Sequence, residues 1–450
     1  MTVSTHALEL SGAGITLVGP GGVLADEPAC AAFAGTSVLT GHAAGAAARL
    51  APLFSSSHYL EALDTLPLPR TRPRVRSHAD LLFTQLQELA ARVPGAADGL
   101  VAAVSGAYAL EELRLFLGIA RAAGLKVRGL VDAGVAAAAA ESSLPRSLYL
   151  DLERHRAVLT ELVRGTDLCR GRIDVARGTG LHAAEQALAG YLTRAFVGAT
   201  RFDPLHQAAS EQQLFERMPA WRAAAAREGS TAALLEHAGL RHEVRLEAAQ
   251  LAGALAPFAA DVLRLVRSAR RAGEAVTLFA SARVAEVPGL VERLSTLGGA
   301  ILTVLPRGAP AAGALAHAAE IEGPAPALIG RLSSVAPVLA AVPPFAGVPP
   351  EAPTHVVFEG RAWPLGAQPL LAGREVSGPR AIRMAADAAG VSRVHCALVA
   401  LAGEAVLEDL SRHGTFVNGE RVERRVRLAA GDRVGLGAPG TEFELVRIVG

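Results

Sequence analysis

Between residues 371 and 437 the chain reads Leu371-Ala-Gly-Arg-Glu, then Val391-Ser-Arg-Val-His-Cys, then Glu408-Asp-Leu-Ser-Arg-His-Gly-Thr-Phe-Val-Asn-Gly, and finally Ala430-Gly-Asp-Arg-Val-Gly-Leu-Gly. Polar turns separate short apolar stretches of strand length throughout this segment. Short strands that alternate with turns predict a β-sandwich. The dipeptide Asn418-Gly419 is typical of a two-residue hairpin turn.

The polar residues of this segment suit an anion. Arg374 follows an apolar run and is expected to project from a strand end, while Ser392 lies on the next loop. The turn from Asp409 to Thr415 has Gly414 at its tip. A guanidinium fork, a hydroxyl and turn amides together hold a phosphate or carboxylate. Taken singly, Arg374 is better explained as a surface arginine and Ser392 as a turn residue, but the joint order of the motifs favours an anion site.

The segment, about residues 354 to 449, resembles the forkhead-associated (FHA) domain, which binds phosphothreonine peptides. The resemblance implies that Arg374 and Ser392 contact the phosphate and that His395 shapes the site. One departure stands in the second recognition loop, where His413 replaces the asparagine that usually holds the peptide backbone. The resemblance implies a site formed by Arg374, Ser392, Arg393, Arg412, His413 and Thr415 and shaped by Gly373, His395, Gly414 and Asn418.

Length and composition limit the remaining functions. A chain of 450 residues should hold about three domain-sized units. Its net charge of +1 gives no indication of a nucleic-acid partner, and aromatic residues, at 4%, are too sparse for a base-stacking surface. No apolar run is long enough to predict a membrane span. Three scattered cysteines and an N-terminus without a signal pattern predict a cytoplasmic protein.

Residues 6 to 325 alternate between strand and helix patterns, which predicts an α/β fold. Apolar periodicity predicts a helix over Ser77 to Arg92, and buried strands are expected over Gly99 to Val104 and Ala275 to Ala280. Helices are also expected over 202 to 226 and 246 to 271. The pattern restarts at 147, so 6–145 and 147–325 are predicted to be duplicated halves with a cleft between them. An Ala/Pro-rich linker is expected at 326–353, followed by the FHA-like domain at 354–450.

This N-terminal part, taken as 1–325, resembles the actin-like ATPase superfamily, with a two-lobed, ribonuclease H-like duplicated fold, and is nearest to the heat-shock-chaperone nucleotide-binding domain. The resemblance rests on three segments, which begin at Asp26-Glu-Pro, at Ile119 and at Val287. It implies a nucleotide site at Glu9, Gly12, Asp132, Asp151 and Ser281, with ATP and magnesium as ligands.

The expected phosphate loops are altered. Glu153, Arg154 and His155 follow Asp151 where the family has glycines, and bulky side chains keep backbone amides away from a phosphate. One hypothesis keeps Glu9, Asp132 and Asp151 as acids around metal-bound water; the other treats them as strand-end acids on a scaffold that has lost its nucleotide.

The sequence therefore predicts a phosphothreonine-binding regulatory or assembly protein whose actin-like domain is catalytically inactive. Two alternatives stay open. The first is an active, chaperone-like ATPase that its FHA domain delivers to phosphorylated clients. The second is a pure scaffold in which the phosphate site is vestigial, since His413 departs from the family pattern. The sequence does not specify an oligomeric state.

Overall fold

A computed structural model describes residues 5–35, 37–69, 75–93, 95–334, 336–339, 352–401, 403–438 and 440–448. The chain divides into two compact units. Unit 1 comprises Met1–Val262, Thr277–Thr296 and Ile301–Ala340, and unit 2 comprises Leu263–Val276, Leu297–Ala300 and Ala341–Gly450. Each unit is described separately below.

The first part of unit 1 contains strands that join one six-stranded sheet or a small three-stranded sheet, together with four helices. In chain order the elements are β1 (His6–Ser11), β2 (Gly14–Gly19), β3 (Gly22–Pro28), β4 (Ala31–Ala34), β5 (Ser37–Thr40), α1 (Gly41–Gly45), β6 (Ser55–Ser56), α2 (His78–Arg92), β7 (Leu100–Val104), α3 (Leu110–Ala122), β8 (Val127–Asp132) and α4 (Ala133–Ala138).

The rest of the α/β part contains a second six-stranded sheet, a separate hairpin and eight helices; these elements, which include short segments belonging to unit 2, are β9 (Arg146–Leu152), β10 (Arg156–Arg164), β11 (Asp167–Arg177), α5 (Leu181–Thr200), α6 (Ala208–Glu228), β12 (Ser230–His237), β13 (Leu240–Glu247), α7 (Ala248–Ala254), α8 (Ala256–Ala269), β14 (Val276–Ala280), α9 (Ala282–Ala285), α10 (Leu290–Ser295), β15 (Ala300–Val304), α11 (Ala309–Ala316), α12 (Ala318–Ile321), β16 (Leu328–Ile329) and β17 (Arg331–Ser333).

The two six-stranded sheets share a strand pattern. The first has the order β16-β8-β7-β1-β2-β3 and the second the order β15-β14-β9-β10-β11-β17. In each, three consecutive strands pair antiparallel, and the first of the three also pairs with a parallel strand. The ends of β1 and β9 therefore hold equivalent positions in the two sheets.

The local sequence explains why several strands and helices of these two sheets and their surroundings form. Strands β7 and β14 are buried along their whole length, as parallel strands covered on both faces should be. Helix α2 begins where its pattern predicted, because Ser77 and Asp80 form a capping box. Apolar side chains of β1, β2, α2, α3 and β7 pack together in one core cluster.

Two segments differ from the sequence-based expectation. The linker predicted at 326–353 begins too early, because Leu328–Ile329 pairs with β8 and Arg331–Ser333 pairs with β11. Residues 340–351 of that linker lie outside the described residues.

The hairpin of β12 and β13 occupies a stretch for which no strand was expected. Its register runs from Ser230 opposite Glu247 to His237 opposite Leu240.

The C-terminal part of unit 2 is a sandwich of two β-sheets. Its strands are β18 (His355–Phe358), β19 (Arg361–Pro364), β20 (Leu370–Gly373), β21 (Ala381–Arg383), β22 (Cys396–Leu401), β23 (Glu404–Asp409), β24 (Thr415–Val417), β25 (Glu420–Arg421), β26 (Arg425–Leu428), β27 (Arg433–Leu436) and β28 (Thr441–Val446). The sheet orders are β19-β18-β28-β27-β24-β25 and β21-β20-β22-β23-β26. Buried Val356, Leu398, Leu407 and Leu445 belong to the core between them.

Within the described ranges, no single helix is long and apolar enough to cross a membrane. Helices α7 and α8 together meet the length and composition, but they are bent by 62° at the break between them.

Candidate functional site

The loops at one end of the C-terminal sandwich bring the predicted anion-binding residues together. The Arg374 backbone N–H donates to the Ser392 carbonyl at 3.1 Å, and the Glu375 N–H donates to the Arg393 carbonyl at 2.9 Å. Gly373 permits this approach, because a Cβ added there would lie 2.3 Å from the Arg393 carbonyl oxygen. The Gly373-Arg374 motif is therefore fixed beside the Ser392 loop by backbone contacts.

Arg374 is half-buried and only partly satisfied. Its Nη1 donates to the Ala386 carbonyl at 3.0 Å. Its Nε is shielded from solvent and has no hydrogen-bond partner among the residues that the structure describes. A buried, charged donor without a partner is costly, and an anion would satisfy it.

His395 connects the loops around Arg374. Its Nδ1 accepts from the Ser392 backbone N–H at 3.0 Å, so Nε2 carries the proton and donates to the Gly414 carbonyl at 3.1 Å. The side chain is fully buried, and burial lowers the pKa of His395 below its ordinary value. The neutral imidazole therefore joins the Ser392 loop to the turn at Gly414.

The loop from Asp409 to Thr415 is held in place by hydrogen bonds between its own polar groups. Asp409 Oδ1 accepts from the Ser411 backbone N–H at 3.0 Å and from the Thr415 hydroxyl at 2.7 Å. The Gly414 N–H donates to the Ser411 hydroxyl at 2.8 Å. Thr415 was expected to bind peptide, but it is fully buried and its hydroxyl is committed to Asp409. It therefore fixes the loop.

The remaining residues predicted for this site have different surroundings. The Arg412 backbone N–H donates to the Ser392 hydroxyl at 3.1 Å, which joins the two loops. The side chains of Arg393, Arg412 and His413 are exposed. Asn418 forms the expected hairpin turn with φ of 53°, and its amide donates to Asp432 at 2.8 Å. Asn418 thus supports the sandwich behind the loops.

A second polar site in unit 1 joins the ends of β1 and β9. Arg283 Nη2 contacts Glu9 Oε1 at 2.5 Å and Asp151 Oδ2 at 2.8 Å, and its Nε donates to Asp151 Oδ1 at 2.9 Å. All three side chains are largely buried. Burial chiefly raises the pKa of Glu9, Arg283 opposes that rise, and neighbouring Asp151 adds to it. The guanidinium is thus the cation that balances this pair of acids.

The space beside another residue predicted to bind nucleotide, Gly12, is also filled by protein side chains. A Cβ added at Gly12 would lie 2.3 Å from Glu61 Cγ and 2.5 Å from Glu153 Oε2. Glu61 also accepts from the His155 backbone N–H at 2.7 Å, and burial raises the pKa of Glu61 to about 7. The turns after β1 and β9 are therefore filled by carboxyl groups, as the bulky residues after Asp151 suggested.

Asp132 does not join this cluster. Its carboxylate is fully buried, accepts from the Gly134 and Val135 backbone N–H groups, and lies 3.4 Å from Arg170 Nη1. It therefore caps α4, and the hypothesis of a three-acid metal site is wrong in its geometry. Ser281 donates its backbone N–H to Leu150, while its buried hydroxyl has no partner within the described residues. Across those residues, no group of three or more His, Cys, Asp or Glu side chains is arranged to hold a metal ion.

Sequence reasoning missed Arg283 and Glu61. Arg283 comes two residues after Ser281, which the resemblance had singled out, but an isolated arginine gives no signal of its distant acidic partners. Glu61 belongs to none of the motifs that carried the sequence analysis.

A broad cleft of about 620 Å³ opens in unit 1 beside Arg283. The residues that line it include Glu27, His42, Arg154, His182 and Arg222. Its volume is within the range of small-molecule sites.

Residues 370–437 match the FHA domain family. No curated protein matches the chain. The identification of an FHA domain from the motifs is therefore confirmed for this segment, and the domain implies a role in phosphopeptide binding and protein interaction. FHA domains bind phosphothreonine-containing proteins.

Proposed function

We propose that this chain is a phosphothreonine reader in which Arg374, Ser392 and the Arg412 turn hold the phosphate of a partner protein. The observation that carries the proposal is the shielded Arg374 Nε, which lacks a hydrogen-bond partner among the described residues. The backbone N–H of the same residue is bonded to the Ser392 carbonyl. A phosphate supplies the acceptor oxygens that Arg374 Nε requires.

A titration of the full chain with a degenerate phosphothreonine peptide library tests this proposal. We expect binding at least about tenfold tighter than to the unphosphorylated library, because one hydrogen bond to a charged group contributes about 1.5 to 3 kcal/mol. A phosphoserine library serves as the matched comparison, because it differs from the phosphothreonine library only by the methyl group of threonine. Equal affinity for phosphorylated and unphosphorylated libraries would contradict the proposal and favour a vestigial site.

The N-terminal α/β part is, in our proposal, an actin-like scaffold that does not turn over ATP. The repeated strand pattern of the two sheets supports the actin-like assignment. The residues where ATP and magnesium were expected do not fit those ligands, because Arg283 already balances Glu9 and Asp151. Glu61 and Glu153 also crowd the Gly12 turn, where a triphosphate would meet two carboxyl groups.

The alternative of an active ATPase has one observation in its favour, the cleft of about 620 Å³. Calorimetric titration of magnesium-ATP into the full chain separates the two hypotheses. We expect a Kd weaker than about 1 mM, which corresponds to about 4 kcal/mol of binding free energy. A phosphothreonine peptide titrated into the same preparation controls for intact protein. Saturable heat from ATP below that concentration would support the ATPase instead.

A further inference from the structure

Helix α6 presents one face to the unit 1 cleft. Phe215, Met218, Pro219 and Arg222 all line it, at the spacing i, i+3, i+4 and i+7 that places residues on one side of a helix. The first three are apolar, and Arg222 ends the row. Leu181 adds to the apolar lining. Met218 is almost fully buried, and the Arg49 guanidinium lies 3.8 Å from the centre of the Phe215 ring. The cleft wall therefore combines the apolar surface of Leu181 and Pro219 with cationic groups.

The acidic side chains of the cleft are already paired. Asp26 and Glu286 both contact Arg307, and Glu185 accepts from Arg154 at 2.8 Å. Glu27 contacts Arg92 at 2.6 Å. These four are the carboxylates among the lining residues, so none is left as an unpaired anion for a cationic ligand.

Arg222 differs from the other arginines of the lining. Arg49 contacts Glu211 at 3.3 Å, and Arg283 lies between Glu9 and Asp151. Arg222 makes no hydrogen bond or ion pair with any residue that the structure describes, although its Nε is shielded from solvent. His182, also in the lining, has a shielded Nδ1 in the same condition. Among the described residues, the cleft lining therefore contains one arginine without an acidic partner and one histidine nitrogen without a hydrogen-bond partner.

The surroundings of His182 also favour an anion over a cation. Burial first and nearby Arg154 second lower the pKa of His182, and the contribution of Arg154 is that of a nearby positive charge.

We propose that the unit 1 cleft binds a small organic anion with an apolar body, whose charged group pairs with Arg222 and whose apolar part packs against Leu181 and Pro219. The site is independent of the FHA domain and of the phosphopeptide function. It also differs from a triphosphate site, because the turns after β1 and β9 are filled by Glu61 and Glu153.

The test uses 8-anilinonaphthalene-1-sulfonate, an aromatic sulfonate, as the probe for the full chain. We expect saturable binding with one equivalent per chain and fluorescence enhancement in the apolar cleft. Arg222→Ala should weaken binding at least about tenfold, the equivalent of one lost charge-assisted hydrogen bond. Arg227→Ala is the matched control, since Arg227 lies on the same helix, is 68% exposed and does not line the cleft.

Arg222→Lys serves as a second variant that retains the charge, and it should bind the probe with intermediate affinity. Non-saturable fluorescence, or equal affinity in the Arg222→Ala and Arg227→Ala proteins, would overturn the proposal. Displacement of the probe by millimolar magnesium-ATP would also overturn it, in favour of a nucleotide site. A phosphothreonine peptide should leave the bound probe unchanged.

Discussion

Replacing Arg374 with alanine should lower the affinity of the chain for a phosphothreonine peptide by about 100-fold. The guanidinium offers Nε and a second donor to the phosphate, and each hydrogen bond between charged groups contributes about 1.5 to 3 kcal/mol. Arg374→Lys should recover only part of this affinity, because an ammonium lacks the planar fork. Fluorescence anisotropy of a labelled peptide measures all three proteins.

Arg361→Ala is the control for Arg374→Ala because it removes the same charge from β19, at the opposite edge of the sheet from β24 and β25. Its peptide affinity should match that of the unaltered chain. The fold should survive the loss of Arg374, since its one side-chain hydrogen bond to a described residue goes to the Ala386 carbonyl. We expect a stability change of at most about 1 kcal/mol. Unchanged peptide affinity in a folded Arg374→Ala protein would refute the assigned phosphate contact.

Replacing Arg283 with alanine should destabilise unit 1 by about 3 to 5 kcal/mol, because it leaves two buried carboxylates without their cation. Trp221 is 8% exposed and lies in unit 1, whereas Trp363 lies in unit 2. These are the two tryptophans of the chain, so a Trp363→Phe background makes urea unfolding of unit 1 visible through Trp221 alone. Arg307→Ala is the control, since Arg307 is 44% exposed and should contribute less than about 1 kcal/mol.

The loss of unit 1 stability caused by Arg283→Ala should depend on pH. Burial raises the pKa of Glu9 in the folded protein, and removing Arg283 takes away the group that opposes this rise. A carboxyl whose folded pKa exceeds its unfolded pKa of about 4.3 stabilises the fold fully below that value and loses this contribution as pH rises through the folded pKa. The loss in free energy of unfolding at pH 8 should therefore exceed the loss at pH 5. Glu9→Gln in the Arg283→Ala protein should restore part of the stability at pH 8, and an equal loss at both pH values would contradict the assigned charge balance.

The FHA domain was predictable from sequence because its determinants are local. Each motif lies on one loop or at one strand end, and the Asn418-Gly419 pair specifies its hairpin through backbone preference alone. The role of Thr415 was not predictable in the same way. Its type suits a phosphate contact, and only the packed structure shows that its hydroxyl faces Asp409.

The polar centre of unit 1 depends on contacts that sequence reasoning does not reach. Glu9 and Arg283 are separated by 274 positions, and their pairing arises from the placement of two sheets. Asp132 was correctly placed near a strand end, but its neighbouring N–H groups make it a helix cap. The hairpin strand Ser230–His237 contains alanine, leucine and glutamate, which favour helix, while its burial alternates at Ala233 and Leu235 as a strand requires.

The cation that balances Glu9 and Asp151 is a side chain of the protein and not a diffusible ligand, and this limits which signals unit 1 can respond to. A diffusible ion or nucleotide occupies its site in proportion to its concentration, whereas a tethered group is present at a constant effective concentration. The charge balance between Glu9 and Asp151 therefore stays the same whatever the cell's supply of nucleotides and metals. In the proposed function, a response to phosphorylation then belongs to the FHA domain, whose ligands kinases create and phosphatases remove.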